Sequence, residues 1–172
     1  MNAQNMMKIG VLAAAMGMVS SGAFAATTAQ QDVGLTVSQI DEIAAGGETV
    51  TLVVDTATAG EQPAAADDTT DESTLAITTN AASGSARGLT AQLDEAMETG
   101  ATLTITVPDA TGNGSGGTYD FVEATGTTAQ AVGSGFYAIA ETLTVDYDFE
   151  ATVAAPAGDY SKQVTYTLTG IE

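Results

Sequence analysis

The chain has 172 residues, with 22 acidic and three basic side chains and a formal net charge of −19. It contains no histidine and no cysteine, which excludes Ser-His and Cys-His nucleophile pairs, imidazole or thiolate zinc sites, and disulfides. So few basic side chains also exclude nucleic acid as a partner, because phosphate binding depends on a cationic surface.

The first 25 residues have the pattern of a cleavable export signal. Lys8 precedes an apolar run from Ile9 to Val19, and small residues lead to a cleavage site after Ala25. The run is too short to span a bilayer comfortably. We expect residues 26–172 to form a single exported domain in the periplasm, at the cell surface or outside the cell, with no membrane insertion of the mature chain.

Beyond Gln31 the apolar residues alternate with polar ones, and Thr and Val are frequent, which favours β-strands. The longest alternation runs from Thr142 to Ala151 and predicts one continuous strand with a wet face. Many short strands separated by turn residues predict an all-β, antiparallel, immunoglobulin-like β-sandwich. The other alternating sets are Val50, Leu52 and Val54; Leu75 and Ile77; Leu89, Ala91 and Leu93; Leu103, Ile105 and Val107; Tyr119 and Phe121; and Val164, Tyr166 and Leu168.

Two segments have a mixed pattern. Residues 90–98 allow a helix, because Leu89, Leu93 and Met97 recur every four residues, but the closer alternation favours a strand that ends in an acidic turn. Residues 33–43 begin with alternation and then change phase. This predicts a bulge, or a break between two short strands.

Two loops are predicted from composition. Residues 61–73 are acidic and rich in Ala and Thr, which predicts a solvated loop carrying Asp67, Asp68, Asp71 and Glu72. Residues 109–118 are rich in glycine.

The Gly-rich loop also contains a possible calcium pattern. Asp109, Thr111, Asn113 and Asp120 stand at positions one, three, five and twelve, with Gly114 at position six, as in loops that wrap calcium between two helices. Strands flank this loop instead of helices, Thr111 stands at position three, and Asp120 stands at position twelve, where a longer bidentate Glu is usual. A flexible hairpin loop is the favoured interpretation, and calcium is the alternative cofactor.

Neither an enzyme nor a strong glycan site is indicated. The carboxylates Asp146, Asp148 and Glu150 share one face of the predicted strand, which is typical of an exposed sheet surface and not of an acid-base pair in a cleft. Carbohydrate modules usually offer an aromatic platform, but the chain has no Trp. We expect no enzyme, and a glycan-binding module is a second alternative.

The C-terminal stretch Pro156–Thr169 resembles the closing hairpin of secreted pilin-like β-sandwiches, such as spore coat U and fimbrial subunit proteins. The shared features are Gly158, Tyr160 and the alternating strand that follows them. The resemblance implies a structural or surface protein that assembles with its own copies or with other cell-surface proteins.

In such families one subunit donates a strand to its neighbour. Here the donor would carry the apolar residues Leu35, Val37, Ile40 and Ile43. Pairing of this segment within its own domain is the favoured alternative. The sequence thus predicts a non-catalytic fibre, pilus-like or surface-layer subunit.

Overall fold

The computed structural model describes residues 30–47, 49–67 and 73–170. The predicted export signal lies outside these ranges, as do Asp68, Asp71 and Glu72 of the acidic loop. The strands found in the described ranges all belong to one compact unit, Val37–Glu172. A domain that begins at residue 26 stays a prediction, because residues 26–29 are not described.

Strands make up nearly all the regular structure of the described ranges. A 3₁₀ turn at Ser83–Ser85 is the helical element found there, and no helix in these ranges has the length and apolar character needed to cross a membrane. The strands in chain order are β1 (Asp41–Gly46), β2 (Ala66–Asp67), β3 (Thr74–Thr79), β4 (Arg87–Leu93), β5 (Ala101–Val107), β6 (Ser115–Phe121), β7 (Gln130–Phe136), β8 (Ile139–Thr144), β9 (Asp146–Ala151) and β10 (Val164–Gly170).

The strands form two antiparallel sheets, which confirms the predicted all-β sandwich. The smaller sheet has the order β1-β3-β8, and the larger has the order β10-β4-β7-β6-β5-β9-β2. Alternate side chains of each sheet face the core between them, where burial of apolar area stabilises the fold. The largest fully buried side chains are Phe121, Phe136, Leu75, Ile77, Leu89, Leu93, Ile105, Val132 and Val145.

Five predicted alternating sets lie in strands, namely those of β3, β4, β5, β6 and β10. The ambiguous segment 90–98 is confirmed as a strand followed by an acidic turn: β4 ends at Leu93, and Met97 is buried in the loop after it. Register explains the alternation in β4. Leu89 and Ala91 stand opposite Leu168 and Tyr166 of β10, so both strands turn their apolar side chains to the same face.

The prediction of one continuous strand from Thr142 to Ala151 is wrong. The chain forms β8, passes through the buried Val145, and continues as β9 in the other sheet. The Val145 amide donates to the Ser73 carbonyl at 2.9 Å, which satisfies a buried backbone donor at the crossing. Alternation persists across the break because both sheets turn their apolar side chains to one shared core.

Strand β7 was not predicted, because Gly133 and Gly135 interrupt its apolar pattern. A Cβ at Gly133 would lie 2.9 Å from Phe136 Cε2, so the ring of the last residue of β7 occupies the space that a side chain would need. The Gly-rich loop is also shorter than predicted, since β6 begins at Ser115 and includes Gly116 and Gly117. Close packing, and not turn formation, accounts for glycine at residue 133.

The first third of the chain departs most from prediction. Residues 33–40 form no strand, so neither a bulge nor two short strands is present there, and β1 begins only at Asp41. The predicted strand at Val50–Val54 is also wrong, because residues 49–56 lie outside any strand. Within the predicted acidic loop, Ala66 and Asp67 form β2 against β9.

Candidate assembly site

Residues 33–40, which we call the arm, present large apolar side chains to solvent immediately before β1. The side chains of Val33, Leu35 and Val37 are 69%, 88% and 83% exposed. The arm contains no charged residue, although the whole chain carries a formal charge of −19. A cluster of exposed apolar side chains on an acidic protein marks a candidate contact surface.

Asn80 holds the C-terminal end of the arm. Its amide nitrogen donates to the Ser38 carbonyl at 2.8 Å, and its amide oxygen accepts from the Ile40 N–H at 2.7 Å. The Asn80 N–H also donates to the Ile40 carbonyl at 3.2 Å. These bonds imitate a short strand pair, so the arm is attached at Ile40 and exposed before it.

Asp41, the first residue of β1, connects the two sheets. Arg87 of β4 donates to its carboxylate through Nε at 3.0 Å and Nη2 at 2.7 Å, and the Thr79 hydroxyl of β3 donates at 2.7 Å. These donors, Thr79 first and then Arg87, hold the pKa of Asp41 below its ordinary value. The fork-like arrangement of the guanidinium fixes where the arm joins the sandwich.

The four predicted assembly residues divide between two environments. Leu35 and Val37 are exposed on the arm, and Ile40 is 45% exposed next to Asn80. Ile43 lies in β1 opposite Ile77 and packs against the core. Pairing within the domain therefore accounts for Ile43, whereas the arm residues have no strand partner in the described ranges.

The predicted calcium residues each have a different environment. The Asp109 carboxylate accepts from the Gly116 N–H at 3.0 Å, and Asp120 on β6 accepts from the Thr104 hydroxyl at 2.8 Å. Thr111 donates to Glu141, and Asn113 is half-buried in the loop. In the described ranges no three acidic residues gather as a metal site, and calcium binding stays a prediction.

Glu141 of β8 is a partner of the Gly-rich loop that sequence analysis missed. Its carboxylate accepts from the Thr111 N–H at 3.0 Å and from the Thr111 hydroxyl at 2.9 Å. These hydrogen bonds hold its pKa below the ordinary value. The sequence does contain a sign of this role. Glu141 stands midway between Ile139 and Leu143, at a position where alternation would place an apolar, inward-facing side chain.

Both basic side chains of the described ranges are neutralised within the domain. Arg87 pairs with Asp41, and Lys162 Nζ lies 3.0 Å from Glu98 Oε1 and 3.8 Å from Glu95 Oε2. The Lys162 side chain is only 10% exposed, so it joins the loop before β10 to the turn after β4. Each basic side chain of these ranges therefore has an acidic partner within the domain.

In comparisons with known proteins, no family model, curated protein or solved structure matches the chain. The resemblance of Pro156–Thr169 to pilin-like hairpins stays a prediction. In that stretch the Tyr160 hydroxyl donates to the Pro156 carbonyl within the loop before β10.

Proposed function

We propose that the protein is an exported, non-catalytic structural protein of the cell surface whose copies assemble by strand pairing through the arm. The observation that carries this proposal is the exposure of Val33, Leu35 and Val37, which alternate as the inward residues of a strand do. Burial of these side chains against a second copy would remove apolar area from water.

The charge distribution also supports the arm as the contact. Copies with a formal charge of −19 repel one another, and repulsion is smallest where a contact contains no charged residue. The arm from Val33 to Ile40 has this property. Its C-terminal end is held by the bonds to Asn80 and by the pairing of Asp41 with Arg87.

The experiment measures the mass of purified residues 26–172 over a range of concentrations by light scattering, with negative-stain microscopy of the same samples. We expect concentration-dependent oligomers or filaments. The double variant Leu35→Asp/Val37→Asp should give monomers, because it places charge in the contact. The matched control is Val153→Asp, at a loop residue that is 76% exposed.

A monomeric wild-type protein at all concentrations would contradict the proposal. Assembly that survives the arm variant, or that Val153→Asp abolishes equally, would contradict the assignment to the arm.

A further inference from the structure

Residues 49–56, which we call the strap, are a segment with strand-like alternation outside both sheets. Val50, Leu52 and Val54 are half-buried, whereas Val53 between them is 60% exposed. Leu52 packs against the buried core. The strap is therefore attached to the sandwich by side chains on one face.

The backbone of the strap contributes little to this attachment. Across the ranges that the structure describes, residues 49–55 make no backbone–backbone hydrogen bond, and the first such bond is from the Ala64 N–H to the Thr56 carbonyl at 2.9 Å. By contrast, β5 pairs with β6 on one side and β9 on the other. Segments with few buried apolar contacts and an unpaired backbone open at lower free energy than paired core strands.

A cleft of about 1,220 Å³ is lined by the strap, by side chains of the larger sheet, by the loop before β10 and by the ends of β1 and β3. Leu103, Phe149, Tyr147 and Tyr166 line its floor, and the hydroxyls of the two tyrosines are 2.7 Å apart. Burial raises the pKa of Tyr166, so this hydroxyl remains protonated. Leu103 is buried and the three aromatic residues are half-buried, and residues 50–56 of the strap line the same cleft.

Glycines with positive φ stand near both ends of the strap. Gly47 has φ 103° and Gly60 has φ 90°, and a Cβ at Gly60 would meet nothing within 4 Å. Both conformations are accessible to glycine without steric cost. The chain can therefore change direction at Gly47, directly after β1, whereas Gly60 lies within a turn closed by the bond from the Ala64 N–H to the Thr56 carbonyl.

We propose that the strap is a hinged cover over this cleft, which opens while the sandwich stays folded. Opening breaks the contacts of Leu52 and its half-buried neighbours but leaves every strand pair in place. This inference does not depend on assembly through the arm.

The test uses thiol labelling, because the chain contains no cysteine and a single introduced thiol reports on its own position. Three variants of residues 26–172 are compared: Leu52→Cys on the inward face of the strap, Val53→Cys on its exposed face, and Ile105→Cys in β5. Labelling with a disulfide reagent is followed at increasing urea concentrations. Val53→Cys should react at the rate of a free thiol.

We expect Leu52→Cys to react more slowly than Val53→Cys but at least about 100-fold faster than Ile105→Cys in the absence of urea, since it needs only a local opening. Its rate should also depend less on urea, because little surface is exposed in that opening. If Leu52→Cys does not fold, Val54→Cys replaces it at the next inward position.

Equal rates and equal urea dependence for Leu52→Cys and Ile105→Cys would overturn the proposal, because the strap would then open only with global unfolding. Labelling of Leu52→Cys as fast as that of Val53→Cys would also overturn it, since the strap would not cover the cleft.

Discussion

The strap and β5 carry nearly the same alternating pattern but form different structures. Val50, Leu52 and Val54 alternate with polar or exposed residues, as Leu103, Ile105 and Val107 do in β5. β5 has hydrogen-bonded neighbours on both sides, and its inward residues are buried. The strap has neither a neighbouring strand nor a fully buried residue.

The difference shows that alternation specifies which face of a segment is apolar, whereas strand pairing depends on what lies beside it. A ladder needs a partner backbone at the correct distance and register. β5 obtains two such partners through the hairpin to β6 and through β9. The strap packs on the core through Leu52, and no strand of the described ranges pairs with it.

Replacing one inward residue of each segment by alanine should give the largest difference in the free energy of unfolding between β5 and the strap. Ile105→Ala should lower the free energy of unfolding by about 2–5 kcal/mol, because the site is fully buried and paired on both sides. Leu52→Ala should lower it by only about 1 kcal/mol, since the side chain is half-buried. Urea unfolding of both variants measures the two losses of stability. Equal losses would contradict the conclusion that the strap is held less firmly than β5.

A smaller effect is expected at β1, which has one strand partner and a side-chain anchor. Arg87→Gln should lower the melting temperature, because it removes both guanidinium bonds that link Asp41 of β1 to β4 of the larger sheet. Gln39→Ala is the matched control, since it deletes only one exposed donor to the same carboxylate. A fall as large in Gln39→Ala would show that the anchor does not act through Arg87.

The smallest effect is expected at the contact between the Gly-rich loop and Glu141, because this contact includes no strand pairing. Its lowered pKa means that the contact stabilises the folded state fully above the ordinary value of 4.5 and loses that effect as the pH falls through the lowered value. Thr111→Val removes the hydroxyl donor, so the pKa of Glu141 should rise toward 4.5. Carboxyl titration by NMR measures it, and an unchanged pKa would contradict the contact.

Much of the fold could be predicted from sequence. Alternating sets such as Leu103–Val107 and Val164–Leu168 lie in strands, and the antiparallel sandwich follows from many short strands with turns between them. β7 could not be predicted in this way. Residue 133 must be glycine because the ring of Phe136 fills the space that a side chain there would need. Alternation along the sequence gives no sign of such a contact.

The candidate site was predicted in part. Leu35 and Val37 were singled out by alternation and are exposed. The limit of the arm, however, depends on the bond of Asn80 to Ile40, 40 positions away, and on that of Asp41 to Arg87, 46 positions away. Such long-range partners leave no local signal.

Composition and periodicity by themselves determined the acidic character of the chain, the absence of thiol and imidazole chemistry, and the apolar face of each segment. Tertiary structure alone decided that the chain changes sheets at Val145, that the strap remains unpaired, and that the arm ends at the Asn80 bonds. The physical reason is that side-chain polarity is a property of each residue. Whether its backbone finds a hydrogen-bonding partner depends on what lies beside it, and those neighbours are in place only after distant strands pack together.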